Sequence, residues 1–332
     1  MKAAGHPLGQ AAPGRSCPLH YRYPPEVFAS DAAPALQGLE VLYVVGGLYG
    51  NALALDTVLA LFDAEQGRKR LVFNGDFHWF DADAATFSRV QRAVLGHCAT
   101  RGNVETELAA GQPDRPTAAD DAGCGCAYPD WVGDDVVQRS NRILHRLRQV
   151  LTLAQAEELR RLPMWLRADV GGLRLGIVHG DAQSLAGWGF AQEHLREAGH
   201  RAEVLRWFEA AQVDAFASTH TCLPVFHALA AHSARPRWVY NNGAAGMPNF
   251  AGDPAGLITR VALQPFEGRE RRFGVRQRGV HVDAIAIDSD ATEVQRRFLA
   301  LWPAGSDAHA SYFRRIAAGP DYASGDAVRE QD

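Results

Sequence analysis

Four side chains in this chain are of the types that hold a cation, and each stands where an apolar run breaks off: Asp76, Asn103, His179 and His220. The first closes Leu71-Val-Phe-Asn-Gly-Asp76, a buried-strand pattern ending abruptly in a carboxylate. In α/β folds such carboxyl-terminal strand ends gather the chemistry. A carboxylate, an amide oxygen and two imidazoles form a ligand set suited to Mn, Fe or Zn. Singly each is weak evidence, since a Gly-Asp pair after an apolar run is more often a turn or a helix cap.

The elements needed to bring the four together are legible. Leu39 to Val45 reads as a strand, and Leu55, Val58, Leu59 and Phe62 recur at helical spacing behind Asn51, which is placed to cap that helix. The strand to Asn74 follows, then a helix capped by Asp83 that carries Phe87, Val90 and Val94. This β-loop-α alternation implies right-handed crossovers and a layered α/β domain with its functional loops on one edge. A hairpin is expected at Gly171-Gly172, running into His179, and further strands lead into His220 and the Asn241–Pro248 loop. Val280–Ile287 alternates as a sheet strand ahead of an Arg- and aromatic-bearing terminal helix. The expected organisation is an extended Pro/Gly/Ala-rich arm over residues 1–34 and a main domain over 35–265 with an insertion at about 108–150. A C-terminal strand and helix extension over 266–332 packs on the same domain.

Composition narrows the function. With 332 residues, 47% of them hydrophobic, the chain can bury a sizeable core, and a net charge of −4 argues against a generic nucleic-acid binder. No stretch approaches the roughly 18 uninterrupted apolar residues of a membrane span, and the first residues lack a signal-like apolar segment. Five cysteines make no disulfide framework. The expectation is a cytoplasmic protein without a membrane partner. Cys124 and Cys126 could hold a soft metal, but no second pair completes a structural zinc site, so a packed Gly-rich loop is expected. The Arg-rich strip over 266–278 could receive phosphate, although a solvated hairpin edge is the commoner use of such a pattern.

Over residues 39–250 the chain resembles the calcineurin-like metallophosphoesterases, in particular their small bacterial phosphodiesterase-like branch. The matches run in order: Gly50-Asn51, Gly75-Asp76, Gly102-Asn103, His179-Gly180, Thr219-His220 and Asn241-Asn-Gly-Ala-Ala-Gly-Met-Pro248. The resemblance implies a four-layer sandwich of two mixed β-sheets flanked by helices. It also implies metal ligation by Asp76, Asn103, His179 and His220, and substrate contacts at Asn51, Asn241 and Gly243.

The departures bear on activity. The first motif of that family supplies an Asp and a His to one metal, and those positions are Gly47 and Tyr49 here; the His after the motif Asn is Val104, and the first His of the Gly-His-x-His motif is Ser218. Two dications about 3.5–4 Å apart repel by roughly 17–19 kcal/mol at an effective dielectric of ~20, so loss of a carboxylate predicts one ion. Tyr49 is expected to plug the vacated position as a core aromatic. Glu105, Asp181 and Cys222, each two residues past a matched ligand, could refill the shell if the backbone there is extended, as could His78. The expected function is hydrolysis of a phosphodiester or phosphomonoester in a small phosphorylated substrate, with His220 or His78 assisting. The alternative is an inactive relative that binds a ligand or a protein.

Overall fold

The computed structural model describes residues 15, 18–30, 35–110, 123–230 and 235–330. Residues 1–14, 16–17 and 31–34 of the expected arm and 111–122 of the expected insertion lie outside that set.

Two mixed sheets face each other. The first runs β11 (Arg271–Gln277), β12 (Val280–Ile287), β10 (Gly256–Ala262), β2 (Val41–Val45), β3 (Lys69–Asn74), β4 (Cys98–Thr100). Within it β2, β3 and β4 are parallel and the other pairings antiparallel. The second runs β1 (Ala35–Leu39), β5 (Trp165–Val170), β6 (Leu173–Val178), β7 (Ala215–Ser218), β9 (Arg237–Asn241), β8 (Val225–Leu229), β13 (Val328–Arg329). The expected first strand is therefore two strands: β1 joins one sheet and β2 the other, separated at Glu40.

Side-chain alternation explains the layers. In β2 the odd residues Tyr43 and Val45 pack with Leu55 and Val58 of α1 (Ala52–Ala64) and with Phe87, Val90 and Val94 of α2 (Ala84–Leu95). The even residues Leu42 and Val44 meet Leu175, Ile177 and Tyr240 of the opposite sheet. Both faces of β2 are buried, which is why it reads as a continuous apolar run. On the far side Val178, Phe216 and Val239 pack under α6 (Ala198–Ala211). The result is the expected helix, sheet, sheet, helix stack.

The local signals act as read. Asn51 Oδ1 accepts from the N–H groups of Leu53 and Ala54, and Asp83 accepts from Thr86, so each satisfies donors that a helix start leaves open. Helices α3 (Asn103–Ala110), α4 (Asp134–Arg148) and α5 (Leu153–Arg160) lie between β4 and β5. The expected terminal helix is two, α7 (Ala291–Leu301) and α8 (Asp307–Ala318), with Arg139 and Arg142 of α4 bonded to Ser311 and Asp307 of α8. The Arg-rich strip forms the edge strand β11, as the hairpin reading expects, and Arg271, Arg272 and Arg278 pair with Asp283, Asp253 and Asp214. Among the described residues no helix is long and apolar enough to cross a membrane.

Candidate metal centre

Because β2, β3 and β4 run parallel, as do β6 and β7, their carboxyl ends come out at one edge of the sandwich. Asn74, the last residue of β3, ties that edge together. Its Nδ2 donates to the Val178 carbonyl across the sheet interface (2.6 Å), its Oδ1 accepts from Thr100 Oγ1 (3.0 Å), and its carbonyl accepts from His179 Nδ1 (3.1 Å). Asp76 follows in the left-handed region at φ +50°. A short polar side chain tolerates that conformation. The turn is held by Glu105 from α3, whose two oxygens accept backbone N–H from Asp76, Phe77, His78 and Gly102.

The four expected ligands meet. His179 Nε2 lies 3.1 Å from Asn103 Oδ1, 3.1 Å from His220 Nδ1 and 3.4 Å from Asp76 Oδ1. The partners on the far side of each group fix which atom faces inward. His179 Nδ1 addresses the Asn74 carbonyl and His220 Nε2 addresses the Cys126 carbonyl (3.0 Å), so these nitrogens carry the hydrogens. Asn103 Nδ2 donates to the Cys124 carbonyl (2.9 Å), turning Oδ1 inward. Asp76 Oδ1 accepts the Val104 N–H (3.2 Å). Four lone pairs therefore converge, all on groups less than a tenth exposed. Acceptors facing acceptors in a buried site require a cation between them, either a proton or a metal ion.

The titration pattern follows from this crowding. Burial alone would lower His179, but the Asp76 carboxylate overrides it and holds the imidazole above its ordinary 6.5. Burial and the His179 charge push His220 down to about 3, so it stands neutral and able to ligate. Burial would raise Asp76, and the two imidazoles reverse that to a net lowering. Asp76, His179 and His220 form the group of ligand atoms close enough to share one ion among the described residues. Asn103 adds the fourth donor through Oδ1.

A clasp over these groups is built from the Gly123–Ala127 loop, whose backbone carbonyls at 124 and 126 bond Asn103 and His220, with the Cys126 thiol also 3.5 Å from Asn103 Nδ2. The Cys126 carbonyl takes donors from both His220 and Trp188 Nε1 (3.0 Å), and the Trp188 ring stands 5.5 Å from the His220 ring, edge on. Cys124 and Cys126 are both buried, with burial pushing the Cys126 thiol well up. They pack as the Gly-rich loop expected. Beneath the loop, Tyr21 Oη donates to the buried Glu107 carboxylate (2.5 Å), joining the N-terminal segment to α3.

The expected substitutes do not refill the shell, and the backbone says why. Glu105 sits in a helix, so the residue two past Asn103 turns away, and its carboxylate is already filled by four N–H groups. Asp181 accepts from Gln183, Ser184 and Gly189 and closes its own turn. Cys222 has φ +62°, and its Sγ lies 2.8 Å from the Tyr49 hydroxyl. His78 packs face to face on Phe87 at 3.7 Å and bonds Asp81 Oδ2 (2.6 Å), so its ring belongs to the helix-side core and not to the centre. Asn51, Asn241 and Gly243 shape turns: Asn51 Nδ2 donates to the Gly246 carbonyl, and Asn241 Oδ1 accepts the Gly243 N–H.

Tyr49 packs its ring against Gly47. It is buried, and a β-carbon added to Gly47 would lie 2.9–3.1 Å from the end of its ring, so the phenol occupies the space that a side chain at position 47 would enter. Ser218 Oγ is buried without a hydrogen-bond partner among the described residues. Sequence reasoning missed Asn74, Trp188 and the clasp carbonyls. Only the alternating glycines of the loop hinted at any of them.

No family model matches the chain, and no curated protein does either. Solved structures do. A metallophosphoesterase from Sphaerobacter thermophilus aligns over 84% of this chain and all of its own, at 17% identity and a TM-score of 0.52. A hypothetical protein from Pyrococcus horikoshii aligns over 85% of this chain and 99% of its own, at 14% identity and a TM-score of 0.58. The chain has the metallophosphoesterase fold.

Proposed function

We propose that this chain is a metal-dependent phosphoesterase that works with a single divalent ion held by Asp76, Asn103, His179 and His220. One observation carries the reading: Asn103, His179 and His220 each commit a hydrogen to a backbone carbonyl behind them, so that their inward lone pairs meet the Asp76 carboxylate, a donor set with no use for its shape except around a cation. One carboxylate, one amide and two neutral imidazoles suit Mn, Fe or Zn. Such an ion polarises a phosphoryl oxygen and makes water a better nucleophile.

The chain's own residues supply the rest. Asn74 and the Cys126 carbonyl hold the two imidazoles in the tautomers that face inward, and the Val104 N–H holds Asp76. Such outer partners typically govern metal affinity about 10- to 100-fold. With Val104 beside Asn103 and His78 turned into the core, no imidazole beyond the proposed ligands is aimed at a leaving group among the described residues. That favours a substrate whose leaving group departs without much help, such as a phosphodiester or phosphomonoester of an acidic alcohol.

A second reading, a binding module without turnover, draws support from the closure of the centre. Asp76, Asn103, His179 and His220 are all buried, under the clasp and beside the Tyr49 plug. Elemental analysis of chelator-free protein beside Asp76→Asn, with turnover of a chromogenic phosphoester, separates the two. About one ion per chain and chelator-sensitive turnover, both lost in the variant, is the expected result. Metal without turnover would favour the binding module; no metal even after added Mn or Zn would defeat the proposal.

A further inference from the structure

Helix α8 brings one cation of its own to this edge. Arg315 Nη2 donates to the Cys222 carbonyl (2.7 Å) and Nε to the Pro248 carbonyl (3.0 Å). These carbonyls belong to the turns after β7 and β9, the first of which carries His220. Two short links connect the guanidinium to the centre: Cys222 Sγ lies 2.8 Å from the Tyr49 hydroxyl, and the Tyr49 N–H donates to the Asp76 carbonyl (3.1 Å).

Three properties mark Arg315 among the chain's arginines. Its position is set by two backbone bonds, so little freedom remains to be lost on binding. Among the described residues no carboxylate pairs with it, whereas Arg139 and Arg142 on the facing helix pair with Asp135 and Asp307. Finally, Arg315 and Cys222 are half-buried rather than sealed, while the opposite flank of the centre lies under the clasp. The remaining N–H groups of the fork have no partner among the described residues.

We propose that Arg315 is an anion anchor for the reaction, binding a non-bridging oxygen of a phosphate or phosphoester group held beside the single ion. This rests on the metal-dependent reading above. A guanidinium offers a planar pair of donors matched to phosphate. Electrostatics favour it over a second dication, because a charge of one beside a charge of two repels half as strongly at equal distance. That accommodates a site in which Gly47, Tyr49 and Ser218 provide no further carboxylate. Tyr49 then serves to wall off the second position, and Arg315 to provide its charge.

The test uses the full chain loaded with Mn(II), and titrates inorganic phosphate by calorimetry into wild type, Arg315→Gln and Arg315→Lys, with metal content measured on each. The expected result is that Arg315→Gln keeps its ion but binds phosphate at least about tenfold more weakly, a change of about 1.4 kcal/mol. Arg315→Lys, which keeps the charge and loses the fork, recovers part of the affinity and guards against a variant that fails to fold. Where substrate turnover is measurable, KM should rise more than kcat falls. Unchanged phosphate affinity in Arg315→Gln overturns the proposal, as does a wild type that binds no phosphate with or without metal. Phosphate binding through Arg315 in a protein that takes up no metal would uphold the anchor and defeat the hydrolase reading, so the two fail separately.

Discussion

Gly125→Ala tests the clasp without touching a ligand. The residue sits at φ +63°, where a β-carbon costs about 1–2 kcal/mol. The added atom would also lie 2.1 Å from Tyr21 Oη, 3.0 Å from Tyr21 Cζ and 3.1 Å from Glu107 Cγ. The loop or the Tyr21–Glu107 pair must therefore shift. Losing that hydrogen bond to a buried carboxylate removes roughly 1.5–3 kcal/mol, so the stability loss should be about 3–5 kcal/mol in total, a large part of a domain's roughly 5–15. Displaced carbonyls at positions 124 and 126 would no longer orient Asn103 and His220, and metal affinity should fall about 10- to 100-fold. Urea unfolding of the metal-free protein gives the first number, and competition for Mn or Zn against a chromophoric chelator gives the second. Tyr21→Phe alone should lower stability by about 1–3 kcal/mol and leave affinity near wild type. Combined with Gly125→Ala it should restore part of the loss, since the nearest clash is with the hydroxyl. A variant that loses the expected stability yet binds metal with unchanged affinity would refute the idea that this loop positions the ligands. A stability loss below about 1 kcal/mol would refute the steric argument itself.

Two further outcomes follow from the same geometry. In metal-free protein His220 takes a proton only near pH 3 while the unfolded chain takes it near 6.5, so this group favours the fold above pH 6.5 and that contribution drains away as pH falls towards 3, by roughly 5 kcal/mol at most. His179, raised above 6.5, works the other way, favouring the fold at low pH and losing that contribution as pH rises through its folded value, and metal affinity should climb over the same interval as the ion displaces its proton. Unfolding midpoints of wild type and His220→Asn between pH 4 and 7 should differ in slope; parallel curves would contradict the assignment. Gly47→Asp alone should destabilise, since its side chain enters the space of the Tyr49 ring at a left-handed backbone position (φ +63°), whereas Gly47→Asp with Tyr49→His should recover the part of the stability lost to that clash and raise metal content above one ion per chain, an increase that equilibrium dialysis would detect.

Much of this architecture is legible in the sequence because its signals are local. Asn51, Asp83 and Thr152 cap helices through their own side chains, and the capping box at Thr152 and Gln155 needs only a four-residue window. The four candidate ligands are legible for a related reason: each stands within two or three residues of a strand end, and parallel strands leave their ends at one edge. Failures concentrate where backbone conformation decides direction. Two-residue spacing assigns a common face only in extended chain, but Asp76 and Cys222 are left-handed and Asn103 opens a helix. His78 reads as an active-site residue until its stacking partner Phe87, nine positions on, is placed against it. Arg315 and Trp188 lie 95 and 32 residues from His220, with no pattern linking them to it.

The dispersal of the centre along the chain has a consequence for how it is filled. Asp76 and Asn103 precede His179 by more than seventy residues, and the clasp that sets His220 lies between them. A chain still being synthesised, at roughly 5–20 residues per second, can offer a passing ion a carboxylate and an amide but neither imidazole in its working tautomer. Those two ligands alone follow the general affinity order of divalent metals and discriminate poorly. On the metal-dependent reading proposed above, choice of ion is thus deferred to the finished fold, and the ion taken up should reflect the free ions of the compartment where folding ends, not those around the ribosome.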